Sequence, residues 1–464
     1  MHVGPRGILV GQALEDALEM LPDLPIVRFA KLSMGSRQPV FTDHQRRDWD
    51  AEAISALVLK KLRRDAEGFV NSPPQSLVLT VPAQFGDRER RATVQAALMA
   101  ELPAPYLVDE PVAAATYYGL DDRDRERTIF VYDLGGGTFD ATLLHASPDG
   151  LYVLSTAGSN SLGGKWIDDK LVEILCEECL LGQGLDPLRE SGGSLNLRRT
   201  AENIKITLSS EQVPRVHRTL IFGSLTQDIA IGRPQFDRII TPMLDETIAI
   251  SEKCLADAAL SWSAVDMVVL TGGSSQLPAV RQRLSQVSGK PPSQIECRQP
   301  FAAVAHGAAL IAHARARGGA GADLLQQQIA SNDLGISIWD DRTNQMGMKV
   351  LIPRNTPLPA KHTDVLFTRR DDQTRIVIEL IQRKSESSQG VSLGHFAFGP
   401  IAAPRKNYPL EVTVTYEREG FVKVVAKDPR TGQQMNAVLH EENGVVNSSE
   451  ALLRDVINKA RINE

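Results

Sequence analysis

The stretch that most constrains this chain is an apolar run that ends in an acidic residue and three glycines. Ile129-Phe130-Val131 is typical of a buried strand, and Tyr132-Asp133-Leu134-Gly135-Gly136-Gly137-Thr138 follows it directly. A second apolar run begins at Phe139 and continues to Leu144, so the pattern predicts a β-hairpin with a glycine turn. Consecutive glycines let the backbone adopt positive φ and bring bare N–H groups close to an anion.

Two carboxylates flank this turn, with Asp133 before it and Asp140 after it. Both side chains can face one site, where they could hold water on a hard cation such as Mg²⁺. A tight hairpin with two solvated acids is the alternative, because glycine turns are common. The hairpin alone therefore leaves a phosphate-and-metal turn and a plain turn equally open.

A second buried strand ends in a second glycine turn. Met267-Val268-Val269-Leu270-Thr271 is followed by Gly272-Gly273-Ser274, and Pro278 lies near the start of the next helix. The two turns could direct backbone N–H groups at the same ligand from opposite sides of a cleft. This pairing favours a functional interpretation of both.

Strands alternate with helical patterns over the first two thirds of the chain, which predicts α/β layers. Residues 76–81 predict a strand that ends at Pro82, and Asp87 resembles the cap of the helix that follows. Residues 194–210 predict a further helix, and the spacing of Glu202, Lys205 and Ser209 places these side chains on one side of it.

The character of the sequence changes near residue 317. Gly318-Gly319-Ala320-Gly321 and Gln326-Gln327-Gln328 predict an interdomain linker. Short alternating runs between Pro, Gly and Asn turns then predict a separate all-β domain. Asn447 to Glu464 predicts one short amphipathic helix, with Asn447 and Glu450 in a capping arrangement and with Leu452, Leu453, Val456 and Ile457 on its apolar face.

We therefore expect an α/β domain over residues 1–316, a linker over 317–332, an all-β domain over 333–446 and a C-terminal helix over 447–464. No apolar run approaches the ~20 residues that a membrane helix needs, and the first residues lack a signal-peptide core. The net charge of −6 argues against a surface dominated by nucleic-acid phosphate contacts.

Four cysteines in 464 residues do not make a disulfide framework, and we expect a cytoplasmic protein. Cys176 and Cys179 form a C-x-x-C pair, but they lie in a helical pattern and no second pair stands nearby. Helix packing is the favoured interpretation of the pair, and redox or metal use is the alternative.

An ordered set of short motifs resembles the DnaK-type chaperones, the seventy-kilodalton heat-shock protein family. The motifs in the first domain are Val-Pro-Ala at 81–83, Asp-Glu-Pro-Val-Ala-Ala-Ala at 109–115, Asp-Leu-Gly-Gly-Gly-Thr-Phe-Asp at 133–140, Leu-Gly-Gly at 162–164, Glu-Asn-Ile-Lys-Ile-Thr-Leu-Ser at 202–209 and Thr-Gly-Gly-Ser-Ser at 271–275. Those in the second are Leu-Gly-Ile at 334–336, Ser-Leu-Gly-His-Phe at 392–396 and Ala-Pro-Arg at 403–405. Each motif is weak alone, whereas the set covers nearly the whole chain in the family's order.

The resemblance implies a fold and an activity. We expect an actin-like (ribonuclease-H-like) ATPase domain, then a β-sandwich that binds extended apolar or unfolded peptides, then a short helical stub of the lid. ATP and ADP with Mg²⁺ are the implied cofactors. A J-domain co-chaperone and a nucleotide exchange factor are the implied partners.

Site residues follow from the resemblance position by position. Lys31, Glu110 and Thr138 resemble the catalytic residues, and Asp133 and Asp140 resemble the acids around Mg²⁺ and its water. The implied ATP contacts are Gly135, Gly136, Gly137, Thr138, Gly163, Gly164, Glu202, Lys205, Ser209, Gly272, Gly273 and Ser274. Each residue taken alone could also be an ordinary surface charge or turn residue. That alternative requires all of these matches to arise by chance in the family's order.

Two further groups are implied by the resemblance. Pro82 and Arg90 resemble the relay that couples nucleotide state to the second domain. The candidate peptide cleft consists of apolar side chains at matching positions, namely Trp339, Leu366, Ile376, Ile378 and Ile401. The alternative for these five residues is that they form the core of the sandwich.

The sequence also departs from the family's pattern. It begins after the family's first phosphate loop, so we expect weakened ATP binding and hydrolysis. Ile206 and Gln276 stand where arginines usually clamp adenine, and Phe301 replaces an acid. Glutamines interrupt the leucine-rich linker, and the lid is reduced to residues 448–464, which predicts faster peptide exchange.

Two other functions stay open from the sequence. A degenerate relative could bind peptide with weak or absent ATPase activity. A small-molecule kinase of the same actin-like superfold is a second alternative, although the β domain after the linker argues against it.

Overall fold

The architecture comes from a computed structural model. The residues that it describes are 1–5, 7–21, 23–36, 38–119, 126–148, 150–184, 186–190, 192–210, 212–222, 225–317, 325–340, 345–384, 389–437, 453, 456–460 and 462. Four residues of the predicted linker, Gly318-Gly319-Ala320-Gly321, lie outside the described residues, and so do Leu452 and the capping pair Asn447 and Glu450.

The first part of the chain forms small sheets with helices around them. Its elements are β1 (His2–Gly4), β2 (Gly7–Leu9), α1 (Gln12–Met20), β3 (Phe41–Thr42), β4 (Asp48–Trp49), α2 (Ala51–Val70), β5 (Val78–Val81), α3 (Asp87–Met99), β6 (Tyr106–Asp109) and α4 (Glu110–Gly119). Helix α2 begins after Asp50, whose carboxylate caps it by accepting a hydrogen bond of 2.8 Å from the Ala53 N–H. Asp87 is the first residue of α3, and Gly86 precedes it as the cap.

A six-stranded sheet lies at the centre of the α/β domain. The remaining elements of this domain are β7 (Arg127–Leu134), β8 (Phe139–Ser147), β9 (Gly150–Ser159), α5 (Gly164–Gln183), α6 (Gly193–Leu208), β10 (Arg215–Phe222), β11 (Leu225–Gly232), α7 (Arg233–Asp257), β12 (Met267–Thr271), α8 (Pro278–Ser288), β13 (Ile295–Glu296), α9 (Ala303–Ala316) and β14 (Leu325–Gln327). The strand order is β13-β12-β7-β8-β9-β14. Strands β7, β8 and β9 are antiparallel neighbours, whereas β12 runs parallel to β7.

Strand β7 is apolar throughout because both of its faces are covered. Phe130, Tyr132 and Leu134 lie in one buried cluster with residues of α5, α6, α7 and α8. Ile129 and Val131 point to the other face, where they pack with residues of α4 and α9. A strand between two helical layers shows a continuous apolar run instead of an alternating one. The expected hairpin is confirmed, and the β7–β8 register places Asp133 opposite Asp140.

The all-β domain is a sandwich of two four-stranded antiparallel sheets. Its strands are β15 (Asp333–Asp340), β16 (Gln345–Ile352), β17 (Ala360–Phe367), β18 (Ile376–Arg383), β19 (Val391–Phe398), β20 (Pro409–Tyr416), β21 (Val422–Lys427) and β22 (Gln434–Ala437). One sheet has the order β16-β15-β18-β19 and the other has the order β17-β20-β21-β22. Alternate residues of both sheets meet in one buried cluster, for example Ile336 and Leu380 with Val412 and Val424.

The linker pairs as a strand with the central sheet of the first domain. The backbone of β14 pairs in parallel with β9, so the segment that contains Gln326 and Gln327 extends the central sheet. The glutamines therefore do not prevent the linker from pairing with the first domain. Strand pairing depends on backbone hydrogen bonds, which glutamine supplies as well as leucine does.

The sandwich also contacts helix α3 directly. The Asp87 N–H donates a hydrogen bond to Gln382 Oε1 at 3.2 Å, and the Val422 N–H donates to Asp87 Oδ1 at 2.9 Å. The Arg90 guanidinium donates to the Glu419 carbonyl at 3.3 Å. Asp87 and Arg90 are both buried, so these hydrogen bonds form an interface from which water is excluded.

The described part of the C-terminal helix packs on the first domain. Ile457 is fully buried among Ala53, Ile54 and Leu57 of α2. Lys60 of the same helix donates hydrogen bonds to the carbonyls of residues 457 and 458, at 2.5 and 2.7 Å. The apolar face predicted for this segment is therefore occupied by α2.

Within the described part of the chain, none of the helices combines the length and the apolar character that a bilayer span requires. All four cysteines are free. Cys176 and Cys179 both lie in α5, and burial raises the pKa of each thiol, which agrees with helix packing as their role.

Candidate functional site

The first element of the site is an ion pair that joins two distant segments. Lys31 Nζ donates a hydrogen bond of 2.6 Å to Glu110 Oε1. Phe29 adopts a left-handed conformation at φ 58°, and the short 3₁₀ helix Ala30–Ser33 that follows carries Lys31. Glu110 is the first residue of α4 and follows strand β6. Burial opposes the charge on Lys31, but the nearby carboxylates raise the pKa of its ammonium overall.

Asp133 and Asp140 form a second cluster of acids beside this pair. Burial, with repulsion from Glu110, raises the pKa of Asp140 to about 7. The same two causes raise the pKa of Asp133 well above its ordinary value. Gln84, from the loop before α3, donates a hydrogen bond of 3.1 Å to Asp140 Oδ1. Carboxylates held this close together favour a cation between them, because a positive charge would relieve their repulsion.

The glycines of the hairpin turn and those before α5 form one cradle. A methyl group placed on Gly163 would lie 2.8 Å from the nitrogen of Gly137, so a side chain there would force the two segments apart. The N–H groups of Gly164 and Lys165 donate to the carbonyls of Gly135 and Gly136, at 3.0 and 2.6 Å. A methyl group on Gly136 would meet no atom within 4 Å, so the turn borders open space.

The second glycine turn is tied to the first one. Thr271 stands opposite Asp133 in the β12–β7 register, and Gly272 adopts φ +81° next to it. The Ser274 hydroxyl donates a hydrogen bond of 2.9 Å to the Gly135 carbonyl. Both turns therefore lie at the same end of adjacent strands and line one cleft. The expectation that they face a common ligand agrees with this placement.

Helix α6 borders the glycine cradle through Lys205. Lys205 Nζ contacts Asp168 of α5 in an ion pair of 2.8 Å, and the Ser209 hydroxyl donates to the Lys205 carbonyl at 2.8 Å. A methyl group on Gly164 would lie 3.1 Å from Lys205 Nζ and 2.9 Å from Ser274 Oγ. Helix α6 and the second turn therefore meet at Gly164. Glu202, one turn before, is open to solvent.

Sequence reasoning missed two polar residues of the site. Asp168 holds Lys205 in place, and Gln84 contacts Asp140. Neither residue stands out in a single sequence, because the contacts cross from one element to another far along the chain. For Asp168, its position one turn after Gly164 on α5 was the available signal.

The coupling residues lie between the site and the sandwich. Arg90 is buried and donates a hydrogen bond of 2.6 Å to Asp109 Oδ1, while its other amino group reaches the Glu419 carbonyl. Asp109 ends β6 and is followed directly by Glu110. Pro82 begins the turn that leads to Gln84, and the Phe85 N–H donates to its carbonyl at 3.0 Å.

The five residues of the candidate peptide cleft fall into two groups. Trp339 is 37 % exposed, with the Arg369 guanidinium 5.2 Å from its ring centroid, and Leu366 is half-buried. Ile376, Ile378 and Ile401 are buried in the core that the two sheets share. The first two residues are available to a ligand as they stand, whereas the three isoleucines support the sandwich.

A divalent cation fits this site through water more readily than through direct ligands. Among the described residues, no group of three or more histidine, cysteine, aspartate or glutamate side chains converges to hold a metal ion. Asp133 and Asp140 nevertheless face each other across the hairpin, beside open space. Mg²⁺ keeps several waters and takes only one or two carboxylates with substrate phosphates, which suits such a pair.

The family model described as Hsp70 protein matches residues 17–462 of this chain. Three curated proteins with similar sequences are each described as chaperone protein DnaK. That of Thermosipho africanus (strain TCF52B) is 34 % identical over 462 residues, which cover 97 % of this chain and 74 % of the relative. That of Thermotoga neapolitana is 34 % identical over 442 residues, and that of Thermosipho melanesiensis is 32 % identical over 441 residues. Each of these two matches covers 93 % of this chain and 72 % of the relative.

Proposed function

The chain belongs to the Hsp70 family, and on this basis we propose that nucleotide binding and hydrolysis in its α/β domain control peptide binding in its β-sandwich. It is an Hsp70-type molecular chaperone. Nothing in the comparisons favours the degenerate alternative. We further propose that the α/β domain is of the actin-like class and that the protein works in the cytoplasm.

The convergence of two glycine turns on one cleft is the observation that carries the nucleotide site. Gly135–Gly137 with Gly163 and Gly164 would let the phosphates approach bare backbone, with the N–H groups of Gly136 and Gly137 as the proposed donors. The N–H groups of Gly135 and Gly164 hold the cradle together instead, because they donate to the carbonyls of Thr138 and Gly135. Lys205, held by Asp168, and Ser209 would contact the ribose and the base from α6. ATP or ADP is the nucleotide that we propose for this cleft.

Asp133 and Asp140 would hold Mg²⁺ and its water. When bound, the cation supplies charge neutralisation at the phosphates. Burial and Glu110 raise the pKa of Asp140, and a bound cation would favour the ionised form of this carboxylate. The hydrogen bond from Gln84 would fix the orientation of the Asp140 carboxylate.

Lys31, Glu110 and Thr138 are the residues that we propose for hydrolysis. Phosphoryl transfer depends mainly on positioning and on electrostatic stabilisation. Lys31 can place a positive charge beside the terminal phosphate and orient water, and its ion pair with Glu110 holds it there. Thr138 closes the glycine turn, where the Gly135 N–H donates to its carbonyl at 3.0 Å.

The coupling between domains would run through the loop at Pro82 and through helix α3. One end of this loop contacts Asp140 through Gln84, and the first turns of α3 contact the sandwich through Asp87 and Arg90. A change at the acid pair can therefore shift the surface on which the sandwich rests. The coupling that we propose is thus carried by a continuous set of packed and hydrogen-bonded residues between the two sites.

Extended apolar segments of unfolded proteins are the ligands that we propose for the sandwich, with Trp339 and Leu366 as the accessible contacts. A J-domain protein and a nucleotide exchange factor are the proposed helpers. Single-turnover phosphate release from Mg²⁺-ATP, with and without a labelled apolar peptide, tests the cycle. We expect release above buffer and acceleration by peptide. Peptide binding without any phosphate release would instead support the degenerate alternative.

A further inference from the structure

An exposed aromatic ring lies against the second glycine turn. Phe301 is 79 % exposed, and a methyl group placed on Gly273 would lie 2.5 Å from its Cε1 atom. One edge of the ring therefore rests directly on the bare backbone of Gly273, and most of the ring surface is open. Only glycine permits so close an approach at this position.

The loop that carries Phe301 is held firmly in place. Gln299 adopts a left-handed conformation at φ 46°, which is costly for a residue with a side chain. The Gly272 N–H donates a hydrogen bond of 3.1 Å to the Pro300 carbonyl, and the Ala302 N–H donates to the Gln299 carbonyl at 2.8 Å. The second turn and the start of α9 thus fix Phe301 at the edge of the cleft from both sides.

Helix α6 approaches the same turn through Lys205, and it carries a further exposed apolar residue. Ile206 is 60 % exposed and directly follows Lys205. Lys205 Nζ and Ser274 Oγ both approach the same point beside Gly164, so this turn of α6 and the second glycine turn, on which Phe301 rests, are neighbours. Gln276 leaves the space free, because its amide points back to the Gly273 carbonyl at 3.4 Å.

We propose that Phe301 is the stacking platform for the nucleobase, at the edge of the region where α6 and the second glycine turn meet. This inference rests on the proposed nucleotide site and names how that site holds the base. A π-face stacks on any purine, because stacking does not read the hydrogen-bonding edge of the base. The platform therefore contributes to affinity for purine nucleotides in general.

The test is calorimetric titration of the full chain with Mg²⁺-ADP, Mg²⁺-IDP and Mg²⁺-UDP. Phe301→Ala should weaken ADP and IDP by the same factor, about five- to tenfold, and UDP by less, because a pyrimidine ring offers a smaller stacking surface. Phe301→Tyr should keep the affinities of the unchanged chain. Phe69→Ala, at an aromatic side chain that is 88 % exposed on α2, is the matched control and should change none of them.

Each other outcome has a distinct meaning. Unchanged ADP binding in Phe301→Ala overturns the platform and leaves the nucleotide site standing. An equal loss for ADP, IDP and UDP also overturns it, since it would show that the turn itself was distorted. If the unchanged chain binds none of the three nucleotides, the proposed nucleotide site fails, and the platform fails with it.

Discussion

Lys31 Nζ and Glu110 Oε1 lie 2.6 Å apart, although the two residues are 79 positions apart in the chain. The 3₁₀ helix at Ala30–Ser33 and the start of α4 bring them together beside Asp133 and Asp140. The Lys31 ammonium thus stands among three carboxylates. This arrangement holds the ammonium in its charged form, as the raised pKa of Lys31 indicates.

The first prediction concerns this ammonium. Lys31→Met should reduce single-turnover phosphate release by about 100-fold or more, because one preorganised charge at a reacting group is worth that much. Lys61→Met is the control, since Lys61 forms an exposed ion pair with Asp65 on α2 and such pairs contribute little. Equal rates for Lys31→Met and the unchanged protein would remove Lys31 from the proposed mechanism.

The second prediction follows from the pKa of Asp140, which burial and Glu110 raise to about 7. In the unfolded chain this carboxyl ionises near its ordinary value, so the folded state retains a proton that the unfolded state has released. Stability therefore falls as the pH rises towards 7, and the full penalty applies above it. Asp140→Asn removes the penalty and should stabilise the metal-free protein by more than about 1 kcal/mol at pH 8.

Thermal unfolding without Mg²⁺ at several pH values measures this effect. The gain from Asp140→Asn should grow between pH 5 and pH 8. Asp245→Asn, at an exposed carboxylate paired with Arg283, should give no such gain. A gain that is the same at every pH would show that Asp140 is not the group that titrates.

Local patterns in the sequence predict local structure well here. The β7–β8 hairpin and the turn at Gly272 are confirmed, because apolar runs and glycines act over a few residues. Strand β19 lacks a regular alternation, since Gly394 interrupts it. Two tertiary contacts could not be predicted from the sequence, namely that of Gln84 with Asp140 and that of Ile457 with α2. Each joins elements that are far apart in the chain, and short sequence patterns carry no information about such contacts.

The third prediction concerns an ion pair between the domains. Arg354, which follows β16, contacts Asp257 at the end of α7 at 2.6 Å, and both side chains are about one-fifth exposed. Arg354→Asp should weaken the docking of the sandwich, and peptide should then accelerate phosphate release about fivefold less. The double variant with Asp257→Arg restores the attraction and should recover most of the response.

Two measurements separate coupling from general damage. Basal phosphate release should be the same in both Arg354 variants. Arg283→Asp breaks an ion pair of 2.8 Å that lies wholly within the first domain, and it should leave peptide acceleration intact. If the double variant behaves like Arg354→Asp, the pair does not carry the coupling.

The fourth prediction concerns the C-terminal segment. Ile457 is fully buried against α2, so Ile457→Ala should cost about 2–4 kcal/mol in the unfolding of the first domain. Ile221→Ala is the matched control, because Ile221 is 65 % exposed on β10. Denaturant unfolding measures the loss, and hydrogen exchange should show it as faster exchange in α2. Equal stability of the two variants would mean that this segment does not pack there in solution.

The last prediction separates ligand contacts from core residues in the sandwich. Trp339 and Leu366 are partly open, whereas Ile378 is 1 % exposed between the sheets. Trp339→Ala and Leu366→Ala should weaken the binding of a labelled apolar peptide by about tenfold, with little change in stability, because they remove contact area from a cleft. Ile378→Ala should instead destabilise the sandwich by about 2–4 kcal/mol, because it leaves a cavity.

Peptide anisotropy and denaturant unfolding of the three variants measure both effects, and Val377→Ala, on the exposed side of β18, should change neither. If Trp339→Ala binds peptide as well as the unchanged protein does, the cleft lies elsewhere on the sandwich. That result would make the cation–π contact between Trp339 and Arg369 a structural one, which connects β15 to the segment after β17.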